Sequence, residues 1–145
     1  MSAMKPQLLV VDDEQDTCAN LADIFTDLGY DVDVAYDGFS ALALVEHKTY
    51  DVALLDLKMP RRNGFEVLEW IRQQSSLSSL RVVVLTSSDE IRDVNRAYQL
   101  GANAYMVKPT TAEALERLIQ TISDFWYAGE KPLAPEQSAS PTKPS

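Results

Sequence analysis

Four apolar runs in this chain stop at residues able to do chemistry. Val52 to Leu55 ends at Asp56, and Leu8 to Val11 ends at Asp12, Asp13 and Glu14. Val82 to Leu85 ends at Thr86, and the short segment Ala104 to Val107 ends at Lys108-Pro109. Short continuous apolar runs are the mark of strands buried on both faces. In a parallel sheet the C-terminal ends of such strands share one edge, so these scattered residues converge. Three carboxylates in one cleft repel each other and call for a cation. Hard oxygen donors with no His or Cys among them suit Mg2+, which keeps several waters and accepts a phosphate oxygen. A metal held by two acids, beside a third acid, a hydroxyl and a lysine, suits phosphoryl transfer. Asp56 is then the nucleophile. The metal and Lys108 offset charge on the equatorial oxygens, and Thr86 donates a hydrogen bond to one of them.

The elements between these ends alternate strictly. Cys18, Leu21, Ala22, Phe25 and Leu28 repeat at helical spacing before a stop at Gly29. Tyr30 to Tyr36 alternates, with Val32, Val34 and Tyr36 on one side, as an edge strand does. Asp37 is placed to cap a helix to about Lys48. Asn63 and Glu66 read as a capping box over Phe65, Val67, Leu68 and Ile71, and Ser87 and Glu90 as another over Ile91, Val94, Ala97 and Leu100. Thr110 and Glu113 read as a third, over Leu115, Leu118, Ile119, Ile122 and Phe125. Five βα units predict an α/β fold: a five-stranded parallel sheet, order 2-1-3-4-5, helices on both faces, flavodoxin-like. Residues 1–6 read as an extension, 7–127 as the domain, and 128–145, rich in Pro and Ser, as a disordered tail.

Composition narrows the function further. The 145 residues are 46% hydrophobic and 24% charged, ordinary for a globular domain. A net charge of -9 without a basic run argues against nucleic acid. The single Cys18 excludes an internal disulfide and reads as a buried structural thiol. No signal peptide or apolar stretch of transmembrane length is present, so the expected location is the cytoplasm. His47, the only histidine, fits a helix C-terminus rather than a metal site.

The strings LLVVDDE, YDVALLDLKMP, VVVLTSSD and GANAYMVKP resemble, in order and spacing, the receiver domain of two-component response regulators (CheY-like). The resemblance covers about Gln7 to Phe125. It implies that Asp56 accepts a phosphoryl group from a phosphohistidine on a partner histidine kinase. Asp12 and Asp13 become the acidic pair, with Asp13, Asp56 and the Lys58 main-chain carbonyl touching Mg2+. Thr86 becomes the switch hydroxyl, Tyr105 the aromatic rotamer switch, and Lys108 the family's lysine, whose bond to Pro109 is often cis. Asn63 stands where the family often has Asp. Lys58 and Ser88 occupy positions that tune dephosphorylation. The segments from Ser87 to Pro109 and from Ile122 to Pro132 look like stand-alone receivers serving bacterial phytochrome-type kinases. With no DNA-binding segment in this sequence, output is expected through protein contacts or phosphate traffic.

Taken singly, Asp12, Asp56, Thr86 and Tyr105 are ordinary caps, hydroxyls and boundary aromatics. Their joint placement reverses that. The competing class is a phosphatase or phosphotransferase enzyme with an aspartyl nucleophile, but Asp12-Asp13-Glu14 lacks the D-x-D spacing and no insertion could form a cap. A flavodoxin-like cofactor binder lacks its phosphate loop after the first strand. The expectation is a signalling module, not an enzyme in the ordinary sense. Phe125-Trp126-Tyr127 spans more than one helical stripe, since successive residues turn by about 100°. With the last two helices and the fifth strand, that cluster predicts a homodimer through the C-terminal third.

Overall fold

A computed structural model of the chain describes residues 5–57, 64–86 and 91–130. Its strands are β1 (Gln7–Val11), β2 (Asp31–Ala35), β3 (Val52–Leu55), β4 (Arg81–Thr86) and β5 (Ala104–Val107). Its helices are α1 (Gln15–Asp27), α2 (Gly38–His47), α3 (Gly64–Gln73), α4 (Ile91–Gln99) and α5 (Ala112–Glu130), with a 3-10 turn at Ser75–Leu77. Every strand pair is parallel, and the order is β2-β1-β3-β4-β5, as expected.

Period-two alternation sorts the strand residues between two cores. Leu9, Val11, Ala53, Leu55, Val82 and Val84 pack with Val45, Leu68, Ile71 and Ala97 of α2, α3 and α4. Leu8, Val10, Val52, Leu54, Val83 and Leu85 pack with Cys18, Phe25, Leu118 and Ile122 of α1 and α5. Each fully buried Leu, Ile or Phe adds about 1.5–3 kcal/mol of apolar transfer, which is what holds the sheet between its helices.

The helix ends show why the chain turns where it does. Gly29 and Gly101 have positive φ angles of 98° and 109°, which glycine adopts without a Cβ penalty. Around Gly29 the amides of Gly29 and Tyr30 donate to the carbonyls of Thr26 and Phe25, a Schellman closure. The rings of Phe25 and Tyr30 then meet edge to face at 5.1 Å. The amides of Gly101 and Ala102 repeat the pattern on Tyr98 and Ala97. Asp37 caps α2 as expected, its Oδ1 accepting from the Ser40 amide at 2.8 Å.

Three expectations need correction. The cap of α5 is Thr111, whose Oγ1 accepts from the Ala114 amide at 3.0 Å, because the extended segment after Lys108 runs one residue further than the Thr110-Glu113 pattern assumes. Tyr36 is exposed rather than inward, since β2 ends at Ala35 and Ala35 takes the core position. Leu28 is exposed because it is the C-cap of α1, where the chain has already left the helical path, and Tyr30 supplies the buried contact instead. The Asn63 and Ser87 caps lie outside the described residues. Helix α5 runs on to Glu130, and the rest of the expected tail is also outside them.

Candidate phosphoryl-transfer site

Each residue that carries the site follows a strand closed to its last rung. The Asp12 amide donates to Ala35 O at 3.0 Å, the Asp56 amide to Val11 O at 2.9 Å, and the Lys108 amide to Thr86 O at 2.8 Å. The backbone at all three positions is therefore fixed by the ladder while the side chain projects beyond it. Alternation gives Asp12, Asp56 and Lys108 the parity of Val10, Leu54 and Met106, which face the α1/α5 core. Thr86 has the parity of Val82 and Val84, on the α2/α3/α4 side, where half-buried Tyr105 packs beside Val84. The edge is thus divided into an acid–lysine half and a threonine–tyrosine half.

Asp12, Asp13 and Asp56 bring one carboxylate oxygen each within 4.8 Å of one another, with Asp12 and Asp56 buried and Asp13 exposed. That convergence of hard oxygen donors, open to solvent on the Asp13 side, fits Mg2+. The Lys58 carbonyl and Ser88 lie outside the described residues. Lys108 lies across the acids: its Nζ is 2.9 Å from Asp12 Oδ2, 2.9 Å from Glu14 Oε1 and 3.6 Å from Asp56 Oδ2. Burial opposes the ammonium's charge, but hydrogen bonds to Asp12 and Glu14 and the charges of Asp56 and Asp12 outweigh it, raising its pKa above the usual lysine value. Lys108 is a fixed cation here. No peptide bond among the described residues is cis, so the Lys108–Pro109 bond is trans, the ordinary preference of an X–Pro bond.

Two further residues belong to the site: Glu14, which ends the first apolar run together with Asp12 and Asp13, and Gly64, which lies outside the strand-end pattern. Glu14 meets Lys108 from a position 94 residues away, a pairing that only the fold creates. Gly64 opens α3 against the strand end: its amide donates to Leu57 O at 3.0 Å, and a Cβ there would collide with the Asp56 carbonyl oxygen and lie 2.6 Å from Leu57 Cα. Cys18 is buried as expected, and its thiol donates to Asp12 O at 3.2 Å. Burial, reinforced by the charge of Asp12, pushes that thiol up to about 11, so it stays protonated and inert. His47 ends α2, with Nδ1 2.8 Å from Ala43 O, far in sequence and element from the acids.

Comparison with known proteins places this geometry. A sequence profile described as the response regulator receiver domain matches residues 8–120. The probable transcriptional regulator ycf27 of Cyanidium caldarium is 35% identical over 115 residues, which are 79% of this chain and 45% of that protein. The chain spans about half the length of the curated relatives it matches. Among solved structures, the chemotaxis protein CheY4 of Vibrio cholerae superposes with a TM-score of 0.76 at 29% identity, over 82% of this chain and 99% of that one. The Mn(2+)-bound form of response regulator Rcp1 superposes with a TM-score of 0.72 at 28% identity, over 83% and 94%.

Proposed function

The chain belongs to the response regulator receiver domain family, and from that premise we propose that it is a phosphorylation switch whose acceptor is Asp56. The observation that carries this reading is the meeting of Asp12, Asp13 and Asp56 at one sheet edge with Lys108 across them. A carboxylate oxygen of Asp56 attacks phosphorus of a phosphohistidine on a partner kinase. The P–N bond breaks and its electron pair stays on the donor imidazole. Asp12 and Asp13, with Asp56 and the Lys58 carbonyl, would hold Mg2+, which supplies charge neutralisation on the phosphoryl oxygens; the Mn(2+)-bound relative supports a divalent ion. Lys108, held charged by its carboxylate neighbours, neutralises a further oxygen.

Thr86 sits fully buried at the end of β4, on the same face as Tyr105. A hydrogen bond from its hydroxyl to a phosphoryl oxygen exists in only one of the two states, which is what a switch requires. Movement of Thr86 toward the phosphoryl group leaves space for Tyr105 to turn inward. A cleft of about 480 Å3 beside Lys108, between α1 and the start of α5, gives a partner protein an approach to the site.

The partner is a sensor histidine kinase, of the phytochrome type on the resemblance of the Ser87–Pro109 and Ile122–Pro132 segments. Output passes through protein contacts in the cytoplasm, including a homodimer through the C-terminal third, and not through nucleic acid, which a charge of -9 repels. No helix among the described residues is long and apolar enough to cross a membrane. Labelling with a small phosphodonor tests the acceptor. Label is expected on the wild type and on Thr86→Ala, and is expected to vanish in Asp56→Asn or with EDTA. Undiminished label in either of the last two conditions would refute the proposal.

A further inference from the structure

We infer that Glu14 is a positioning residue that holds the Lys108 ammonium off Asp56 until a phosphoryl group draws it across. This rests on the phosphoacceptor reading and names how that site is poised. The distances carry it. A lysine ammonium has three N–H donors; two go to Asp12 and Glu14 at 2.9 Å, while Asp56 stands at 3.6 Å, beyond hydrogen-bond range. The resting lysine hydrogen-bonds Asp12 and Glu14 and keeps only a longer ion pair with the acceptor.

A second observation is independent of those distances. Glu14 is the N-cap of α1, yet its side chain makes no capping hydrogen bond. Its carboxylate instead turns to Lys108 and is steadied by Thr17, whose Oγ1 donates to Oε1 at 3.1 Å. The backbone beneath it is pinned as well, the Glu14 amide donating to Asp12 Oδ1 at 2.9 Å. Glu14 is not one of the three acids that converge as a cation site. A divalent ion would compete with Lys108 for Asp12 but not for Glu14. The Glu14 carboxylate is therefore the contact that keeps holding the lysine when the acids are engaged. A phosphoryl group on Asp56 adds negative charge on the far side and pulls the ammonium away.

An ordinary structural reading is that the pair only fastens α1 to the loop after β5. That reading changes stability alone. Ours changes the balance between resting and phosphoryl-bearing states, because the Glu14–Lys108 contact exists in the first and is given up in the second. Beryllofluoride, which mounts a phosphoryl-like group on a carboxylate, is the probe. Calorimetric titration in Mg2+ should show Glu14→Gln binding it about twofold to fivefold more tightly than wild type, the range an exposed ion pair can supply. In a Lys108→Ala background the same substitution should change nothing. Without Mg2+, the Lys108 ammonium 15N resonance should shift in Glu14→Gln. Equal or weaker beryllofluoride binding by Glu14→Gln, the same gain without Lys108, or an unmoved ammonium resonance would overturn the role of Glu14. Failure of wild type to bind at all, or undiminished binding by Asp56→Asn, would instead overturn the phosphoacceptor reading itself.

Discussion

Gly64 has no room for a methyl group, because a Cβ there would lie 2.6 Å from Leu57 Cα and 2.9 Å from the Asp56 carbonyl carbon. Adding one moves either α3 or the acceptor's own backbone. Gly64→Ala is expected to cost about 1–3 kcal/mol by urea unfolding, the usual range for overpacking. It should also slow labelling of Asp56 under conditions where the variant is fully folded. Normal stability together with normal labelling would show that the contact relaxes freely. The legibility of single residues divides along the same line. Asp12, Asp13, Asp56, Thr86 and Lys108 could be read from the chain because each terminates an apolar run, and strand ends of a parallel sheet share an edge. Gly64 could not, and the end of the first run put Glu14 at the edge without showing its partner. Their roles lie in a close approach and in a 94-residue pairing, and neither leaves a local pattern.

Elements are legible where one residue type alone meets a backbone demand. Gly29 and Gly101 sit at positive φ, and their helices end there. Thr110 and Thr111 offer the same capping chemistry one residue apart, so only the length of the preceding extended segment decides between them. Strand β2 illustrates how an element is held by something outside its own pattern. Asp33 on β2 accepts from Lys48 Nζ at 2.8 Å and from the Tyr50 hydroxyl at 2.6 Å, tying the edge strand to the α2–β3 connection. The hydrogen bond from Lys48, followed by that from Tyr50, lowers the Asp33 pKa. A depressed carboxylate contributes stability above its unfolded value and loses it as pH falls through the folded one. Asp33→Asn should therefore cost about 0.5–1 kcal/mol at neutral pH, allowing for its exposure. The gap to wild type should close as pH falls below about 3.9. Urea unfolding at the two pH values measures it, and a gap independent of pH would show that the ion pair contributes nothing.

At the scale of the molecule, the two edges of the sheet are treated differently. The β2 edge carries Asp31 and Asp33 with Lys48 bridging them, charges that discourage another chain from pairing there. The β5 edge carries half-buried Tyr105 and Val107, which is 48% exposed. Helix α5 continues for 19 residues, or about 28 Å, against a four-residue β5 of about 13 Å. Its far end holds Phe125, packed on the α1/α5 core, and Trp126, half-buried beside it. Sheet order and core faces follow from apolar runs and alternation, but an interface depends on a surface the single chain does not complete. The asymmetry of the edges supports a homodimer through α4, β5 and α5. Sedimentation is expected to show a dimer of the wild type, with Trp126→Ala dissociating at least about fivefold more readily, as loss of an aromatic anchor costs more than about 1 kcal/mol. Trp126 lies far along α5 from Asp56, so labelling of the variant should be unchanged. A wild type that remains monomeric at high micromolar concentration, with and without phosphodonor, would leave the open β5 edge as a feature of the lone domain and refute the dimer.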